Sequence, residues 1–460
     1  MSLPPAQDVA ERALEACGGA PGIVIVEESD QAEVRFANNS TTTNGRRRDR
    51  RVVAIRICEV DGGTAAGVAI GSGDVDVAEL VAAAADDAAS SPPSPDAAPL
   101  IEGVADADYG EDPAEGDVSA FAPILERLRD AFSSAASSGR VLAGFLEHQL
   151  DTTYLASSTG LRRRHAQPTG ALQVVARSTD GSRSAWAAEA AADLATLDVD
   201  ALDTTLRSRL AWAERQVPLP AGRYEVVLPP DAVADLMIDL VESASGQDAE
   251  EGRSVFSAPG GRTRLGEQLC PLPFHLYGDP AAPGPACAPF LAVAASSSEA
   301  SVFDNGVDVG ATDWLAAGRL ANLRYHRAGA QRSGTRFAPP VDNLVLELDG
   351  AAGTTEDLVA HVDRGLLLTC LWYIREVDPK TLLLTGLTRD GVYLVERGEV
   401  VGAVNNFRFN ESPVDLLGRT LEVGASRRAL GREFGEWVNR TRMPPLRVAD
   451  FNMSSTSEAS

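Results

Sequence analysis

Lysine is almost absent from this chain of 460 residues, because Lys380 is the only lysine among its 41 basic residues. This scarcity disfavours lysine chemistry such as Schiff-base formation, and it disfavours a Walker phosphate loop. Acidic residues number 66, so the formal net charge is 41 − 66 = −25. A surface this negative repels phosphate backbones and anionic lipids. We therefore expect neither a nucleic-acid partner nor a membrane partner.

Clusters of metal-binding residues are also missing from the sequence. The five cysteines are scattered and form no C-x-x-C motif, which disfavours a disulfide framework and a zinc ribbon. No two of the five histidines have the spacing that places a zinc-binding pair on one helix face. We expect no metal and no cofactor, and we interpret His361 as the i,i+4 partner of Asp357 on a helix.

Long apolar runs are missing as well. The longest nearly apolar run, residues 365–374, is far shorter than the roughly 20 residues of a membrane helix. The first residues carry acids where a secretory signal carries basic residues, and they include no apolar core. These absences predict a cytoplasmic protein.

The pattern of elements predicts an α+β fold. An N-terminal α/β region with an antiparallel sheet and flanking helices precedes a larger, strand-rich C-terminal domain. Proline, acids and glycine mark a connection, and VPLPAG at residues 217–222 is the clearest boundary. The predicted units are an N-terminal segment (1–89), the connection (90–118), a central segment (119–216), the C-terminal domain (222–451) and a disordered polar tail (452–460).

The N-terminal segment contains a long predicted hairpin over residues 34–57. Asparagines and Gly45 supply the residue types of its turn. The arginine run at residues 46–51 then lies at a solvated hairpin tip, which we favour over an anion-binding site. Further along, Asp76 is predicted to cap a helix that begins near Val77.

Several motifs stand in a fixed order along the chain: RFANN (35–39), AGVAIGSGD (66–74), DTTYLASSTGL (151–161), VVLPPDAVADLMIDLV (226–241), FDNGV (303–307) and LLTGLTRDGVYLVERGEVVGAVNNFRFN (383–410). In this order they resemble the TldD/PmbA family over residues 7–451. Each motif is short, and the shared order over almost the whole chain carries the resemblance. It implies the fold of that family and a relation to metallopeptidases.

The resemblance also locates a degenerate metal site. TldD-type subunits of the family hold a catalytic metal with an H-E-x-x-x-H helix and a later cysteine. The matching helix here is LMIDLVES (236–243), which puts Ile238 and Ser243 at the two histidine positions and Asp239 at the glutamate position. Residues 421–451 contain no cysteine. The chain thus resembles a TldE-type subunit, which implies no catalytic residue and no metal ligand of its own.

In the family, TldD-like and TldE-like chains form a heterodimer around a cleft that receives unfolded or short peptides. The resemblance therefore implies a TldD-like partner, or a second copy of this chain. Extended peptides can add to exposed strands, so residues 366–374 and 391–396 are candidate cleft walls. Burial in an ordinary sheet core explains both strands equally well. The candidate cleft residues are Thr369, Leu371, Tyr373, Gly391 and Tyr393.

Three functional hypotheses remain open at this point. The first is the non-catalytic half of a heterodimeric metallopeptidase, which we favour. The second is a stand-alone or homodimeric peptide-binding protein that has lost peptidase function. The third is an enzyme with relocated ligands, for example His361 or His275 with nearby acids.

Overall fold

The N-terminal region is built around one antiparallel sheet. The structure, a computed structural model, describes residues 3–116 and 118–457. Six strands follow the order β3-β2-β1-β4-β5-β6, and we call them the N-terminal sheet. The elements are α1 (Ala6–Ala16), β1 (Gly22–Ala37), β2 (Ser40–Val60), β3 (Gly63–Ser72), α2 (Val77–Ser90), α3 (Ala122–Ser137), β4 (Arg140–Ser157), β5 (Arg162–Ser178), β6 (Ser184–Ala190) and α4 (Val199–Trp212).

Strand β1 is buried on both faces of the N-terminal sheet. Val24 and Val26 pack in the core beneath α1 and α2. Ile23 and Ile25 point to the other face and pack against Phe303 of the C-terminal region. A strand that is buried on both faces has a continuous apolar run rather than an alternating one. Because β1 pairs with both β2 and β4, the predicted N-terminal and central segments share one sheet.

The predicted position of the hairpin turn is wrong. Strands β1 and β2 join at Asn38 and Asn39, whose φ angles of 50° and 58° suit a tight turn between twisted strands. The arginine run lies in the middle of β2, where three of its arginines lie directly opposite acids of β1. In this register Arg51 lies opposite Glu27, at 3.0 Å between Nη1 and Oε2. Cross-strand pairing of opposite charges therefore accounts for most of the run.

The C-terminal region contains two main sheets. One sheet has nine strands: eight follow the order β15-β16-β19-β23-β7-β14-β17-β18, and β20 pairs with β23 beside them. The other sheet has six strands in the order β12-β11-β10-β13-β22-β21. The elements are β7 (Gly222–Leu228), α5 (Pro230–Glu242), α6 (Gly246–Glu250), β8 (Ser257–Ala258), β9 (Arg262–Thr263), β10 (His275–Gly278), β11 (Thr312–Ala316), β12 (Arg319–Leu320), α7 (Arg327–Ser333), β13 (Leu344–Glu347), α8 (Thr355–Ala360), β14 (Arg364–Leu368), β15 (Leu371–Asp378), β16 (Leu383–Thr388), β17 (Val392–Glu396), β18 (Glu399–Ala403), β19 (Phe407–Glu411), α9 (Pro413–Gly418), β20 (Thr420–Val423), β21 (Arg427–Ala429), β22 (Thr441–Met443) and β23 (Leu446–Thr456).

The α+β fold class is confirmed, with one local correction at the carboxyl end. The predicted disordered tail is part of β23 as far as Thr456, because its backbone pairs with β7 and β19. Residues 458–460 lie outside the described residues. The predicted cap is present, since the Asp76 carboxylate accepts the N–H groups of Ala78 and Glu79.

The connection after α2 contains no helix or strand within residues 91–116, yet it is packed against the rest of the molecule. Buried Asp96 accepts a hydrogen bond of 2.6 Å from the hydroxyl of Ser301, and Tyr109 is 9% exposed. Within the described ranges, every helix is too short or too polar to span a bilayer.

Candidate functional site at helix α5

Helix α5 places the three residues at the predicted metal positions. Pro230 opens the helix, where proline lacks only an N–H that would have no helical partner. Asp231 lies in the first turn, near the positive end of the helix dipole. The helix is buried nearly all round because it packs against α9 and against strands of both C-terminal sheets. It ends at Glu242, so Ser243 is the capping residue.

The residues at these positions do not fit a catalytic metal. Ile238 is 3% exposed and forms part of a cavity wall, and its side chain has no lone pair to donate. The hydroxyl of Ser243 is a poor ligand on its own. Across residues 3–116 and 118–457, no three His, Cys, Asp or Glu side chains are grouped so that they could hold a metal ion.

The histidine that the sequence paired with Asp357 has a different main partner. Nδ1 of His361 lies 2.8 Å from Oε1 of Glu422, whose other oxygen accepts from Arg447 at 3.0 Å. Asp357 instead accepts the N–H of Thr354 in the capping box of α8. His361 therefore belongs to an exposed ion-pair network.

Asp235, one turn before Asp239, attaches a distant loop to the helix. We call residues 430–439 the closing loop. The buried Asp235 carboxylate accepts three of its backbone N–H groups, those of Arg432, Glu433 and Phe434, at 2.9–3.1 Å. Burial raises the pKa of Asp235 well above its usual value, and the three amides oppose that rise. A Cβ on Gly431 would lie 2.3 Å from Oδ1 of Asp235, so glycine permits the close approach.

Asp239 is partly buried and lacks such partners. Its Oδ2 atom has no hydrogen-bond partner among the described residues. Burial, followed by the charges of Glu376, Glu433 and Glu242, raises the pKa of Asp239 to about 7, and Arg375 opposes the rise. The carboxyl therefore changes its charge near neutral pH.

The closing loop is also attached to the start of β15. Glu433 accepts the N–H of Tyr373 at 2.7 Å and Nη1 of Arg375 at 2.8 Å. The guanidinium of Arg432 lies over the rings of Trp186 and Trp372, at 5.2 and 4.6 Å from their centroids. These contacts combine ion pairing with cation–π attraction and join the loop to both regions of the chain.

A cleft lies between α5 and the N-terminal sheet. Its inner part is a cavity of about 310 Å³, with a mostly apolar wall that includes Ile238, Val241 and Phe290. A groove of about 750 Å³ adjoins it and shares part of its wall, including Ala288. Trp437 of the closing loop lines the groove and is 70% exposed. The apolar wall of the cavity and the exposed indole suit contact with the side chains of a bound peptide, whereas the wall of the groove is mostly polar and charged.

The five predicted cleft residues lie elsewhere. Tyr373 is 52% exposed on β15, at the edge of the nine-stranded sheet, with a positive φ of 52°. Thr369, Leu371 and Tyr393 are at most 1% exposed, and Gly391 is also buried. Gly391 and Tyr393 line a different cavity, described below. None of the five forms the wall beside Ile238, and their assignment to a substrate cleft stays a prediction.

Sequence reasoning missed the residues that attach the closing loop to α5, namely Asp235, Gly431, Arg432 and Glu433. One signal was available, because Asp235 and Asp239 stand four residues apart in the otherwise apolar stretch 232–241. The loop partners of Asp235 begin 197 positions away in the sequence, so spacing could not identify them.

Known proteins share this architecture. Residues 221–455 match the PmbA/TldA metallopeptidase C-terminal domain. TldE from Thermococcus kodakarensis has a similar structure, with a TM-score of 0.77, 19% identity, and coverage of 96% of this chain and 99% of that one. At this identity the likeness shows the fold alone.

Two further solved structures, each described as a putative modulator of DNA gyrase, share the fold. The one from Thermotoga maritima has a TM-score of 0.74 and 17% identity, covering 97% of this chain and 99% of that one. The one from Bacteroides thetaiotaomicron has a TM-score of 0.73 and 14% identity, covering 98% of both chains. The search of curated proteins found no match.

Proposed function

The chain belongs to the PmbA/TldD metallopeptidase family, and from this premise we propose that it is a non-catalytic, TldE-type subunit of a two-chain cytoplasmic metallopeptidase. In this proposal a TldD-like chain holds the metal and cuts unfolded or short peptides. The present chain completes the cleft that receives them. The likeness to the Thermococcus TldE over 96% of the chain supports this assignment.

The observation that carries the proposal is the apolar side chain of Ile238 on the cavity wall. A metal-activated hydrolysis needs two or three donor side chains around one point. At that point α5 offers isoleucine, an aspartate without a donor histidine beside it, and a capping serine. The cleft is retained without ligands for a metal, which suits a subunit that binds peptide and leaves cleavage to its partner.

A stand-alone or homodimeric peptide-binding protein is the second candidate. One observation favours it, because the cavity and the groove are both formed within a single chain. Binding of a peptide therefore does not depend on a second subunit to close the walls.

The test is reconstitution with metal analysis. The purified chain is assayed for bound metal and for cleavage of an unfolded casein substrate, alone and after addition of a TldD-like chain from the same cells. We expect no metal and no cleavage from the chain alone, and cleavage after mixing. Stoichiometric metal with activity in the isolated chain would overturn the proposal, and failure to pair would leave the peptide-binding protein.

A cleft-filling variant then tests whether this chain contributes to peptide handling. Ala288→Trp places an indole in the shared wall of the cavity and groove, so we expect a reduced cleavage rate in the mixed complex. Ala352→Trp, at an exposed site remote from both walls, is the matched control. Equal rates for the two variants would mean that the cleft of this chain takes no part in cleavage.

A further inference from the structure

A second cavity, of about 340 Å³, lies where the two regions of the chain meet on another side of the molecule. The turn between β5 and β6 forms one wall, and the turn between β16 and β17 with the end of β18 forms the other. Three arginines line it: Arg177, Arg183 and Arg389. We call it the arginine cavity.

The charge of this cavity is opposite to that of the chain. Its wall contains three arginines and a single carboxylate, Asp390, in a chain whose net charge is −25. The cavity beside α5 has the reverse pattern, because its wall contains Glu27, Glu242 and Asp342 and no basic residue. A positive cavity on so acidic a protein concentrates small anions by its local field.

The positive charge is only partly neutralised from within. Arg183 pairs with Glu214 at 3.1 Å, but Glu214 is 72% exposed, so that pair is weak. Nε of Arg389 lies 3.3 Å from Oδ2 of Asp390, yet this N–H makes no hydrogen bond with the described residues. Asp390 also accepts a hydrogen bond from the hydroxyl of Ser184. Arg177 forms no ion pair with any residue in the described ranges, so its guanidinium is available to a ligand.

A buried hydroxyl points to the same conclusion independently. Tyr393 is 1% exposed and lines the cavity, and its hydroxyl has no hydrogen-bond partner among the described residues. Its ring packs edge-on against Trp212 at 5.2 Å between centroids, so the side chain is held in place. Buried polar groups are nearly always paired, and an unpaired one in a polar cavity indicates an absent water or ligand.

We propose that the arginine cavity binds a small ligand with a phosphate or carboxylate group, which accepts hydrogen bonds from Arg177, Arg389 and the Tyr393 hydroxyl. Guanidinium groups and hydroxyls are the donors that such oxyanions prefer. The volume of about 340 Å³ exceeds that of one inorganic phosphate, so the cavity has room for an organic part of the ligand. Because both regions of the chain contribute walls, the bound ligand stabilises their junction. The site does not depend on the peptidase assignment.

The test is thermal unfolding of the purified chain with inorganic phosphate or citrate, against sodium chloride at the same ionic strength. We expect at least one probe to raise the Tm in a saturable manner. A response to phosphate alone assigns a phosphate ligand, and a response to citrate alone assigns a carboxylate ligand. No Tm rise beyond the chloride control would overturn the proposal.

Three variants localise the effect. Arg177→Ala and Tyr393→Phe are each expected to weaken the probe about tenfold, the loss typical of one charge-assisted hydrogen bond. Arg336→Ala removes an exposed arginine outside the cavity and is expected to leave binding unchanged. Tyr393→Phe keeps the ring, so its Tm without a probe is expected to match the parent. If all three variants respond to the probe as the parent does, the anion binds elsewhere and the proposed site is refuted.

Discussion

Two aspartates that lie one turn apart on α5, Asp235 and Asp239, have opposite surroundings. Asp235 faces the closing loop and accepts three backbone N–H groups at 2.9–3.1 Å. Asp239, one turn later, has a buried oxygen without a partner and three carboxylates that raise its pKa. The residue type and helix are the same, and only the surrounding partners differ.

The difference separates a carboxyl that holds a loop from one that has a buried oxygen without a partner. Burial raises the pKa of both carboxyls, and at Asp235 the three amides oppose that rise and make the side chain part of the scaffold. At Asp239 burial beside like charges raises the pKa to about 7, so this carboxyl exchanges a proton near neutral pH.

Removing the carboxylate of Asp235 is expected to have the largest effect. Asp235→Ala leaves three amides of the closing loop without an acceptor, so we expect a loss of about 3–5 kcal/mol in the free energy of unfolding. Urea denaturation measures it. Asp235→Asn keeps one acceptor oxygen and is expected to lose only about 1–2 kcal/mol. A loss below about 1 kcal/mol in the alanine variant would show that the loop does not depend on Asp235.

Removing the charge of Asp239 is expected to stabilise the protein at high pH. The pKa of Asp239 is about 7 in the folded chain and 3.8 in an ordinary environment. Between these values the folded state holds a proton that the unfolded state has released, so stability falls as the pH rises, and it levels off above pH about 7. Asp239→Asn has no such fall, and we expect it to gain about 1–3 kcal/mol at pH about 8.

The pH series supplies its own control for Asp239→Asn. At a pH of about 3, below the ordinary pKa of 3.8, both the folded and the unfolded parent are largely protonated at Asp239, so the gain in stability is expected to vanish there. Urea midpoints of parent and variant at several pH values measure the difference. A difference that stays constant with pH would contradict the raised pKa.

The smallest expected effect concerns the source of the raised pKa. Glu433 is one of the carboxylates that raise the pKa of Asp239, so Glu433→Gln is expected to lower that pKa by less than about one unit. Carbon-13 NMR titration of labelled aspartates measures the shift, with Asp239→Asn identifying the resonance. Glu436→Gln, on the same loop, is the control and is expected to leave the pKa unchanged.

The fold class, the family and the α5 side of the candidate site could be predicted from the sequence, but the other side of the site could not. The apolar helix at residues 236–243 and the degenerate positions Ile238, Asp239 and Ser243 are visible in the sequence because ligand chemistry depends on residue type. The closing loop was not foreseen, since its attachment to Asp235 joins residues 197 positions apart. The hairpin turn was misplaced because the composition of residues 44–51 resembles a loop, whereas acids on β1 pair with these arginines.

The sequence by itself determined the elements whose driving force is local. The apolar run at residues 23–26, the Asp76 cap and the proline start of α5 follow from side-chain chemistry within a few residues. Only the tertiary structure determined which carboxylate has hydrogen-bond donors, which cavity has a positively charged wall, and which tyrosine hydroxyl lacks a partner among the described residues. Those properties depend on the desolvation and the neighbours that folding brings from distant parts of the chain, and no spacing along the sequence encodes them.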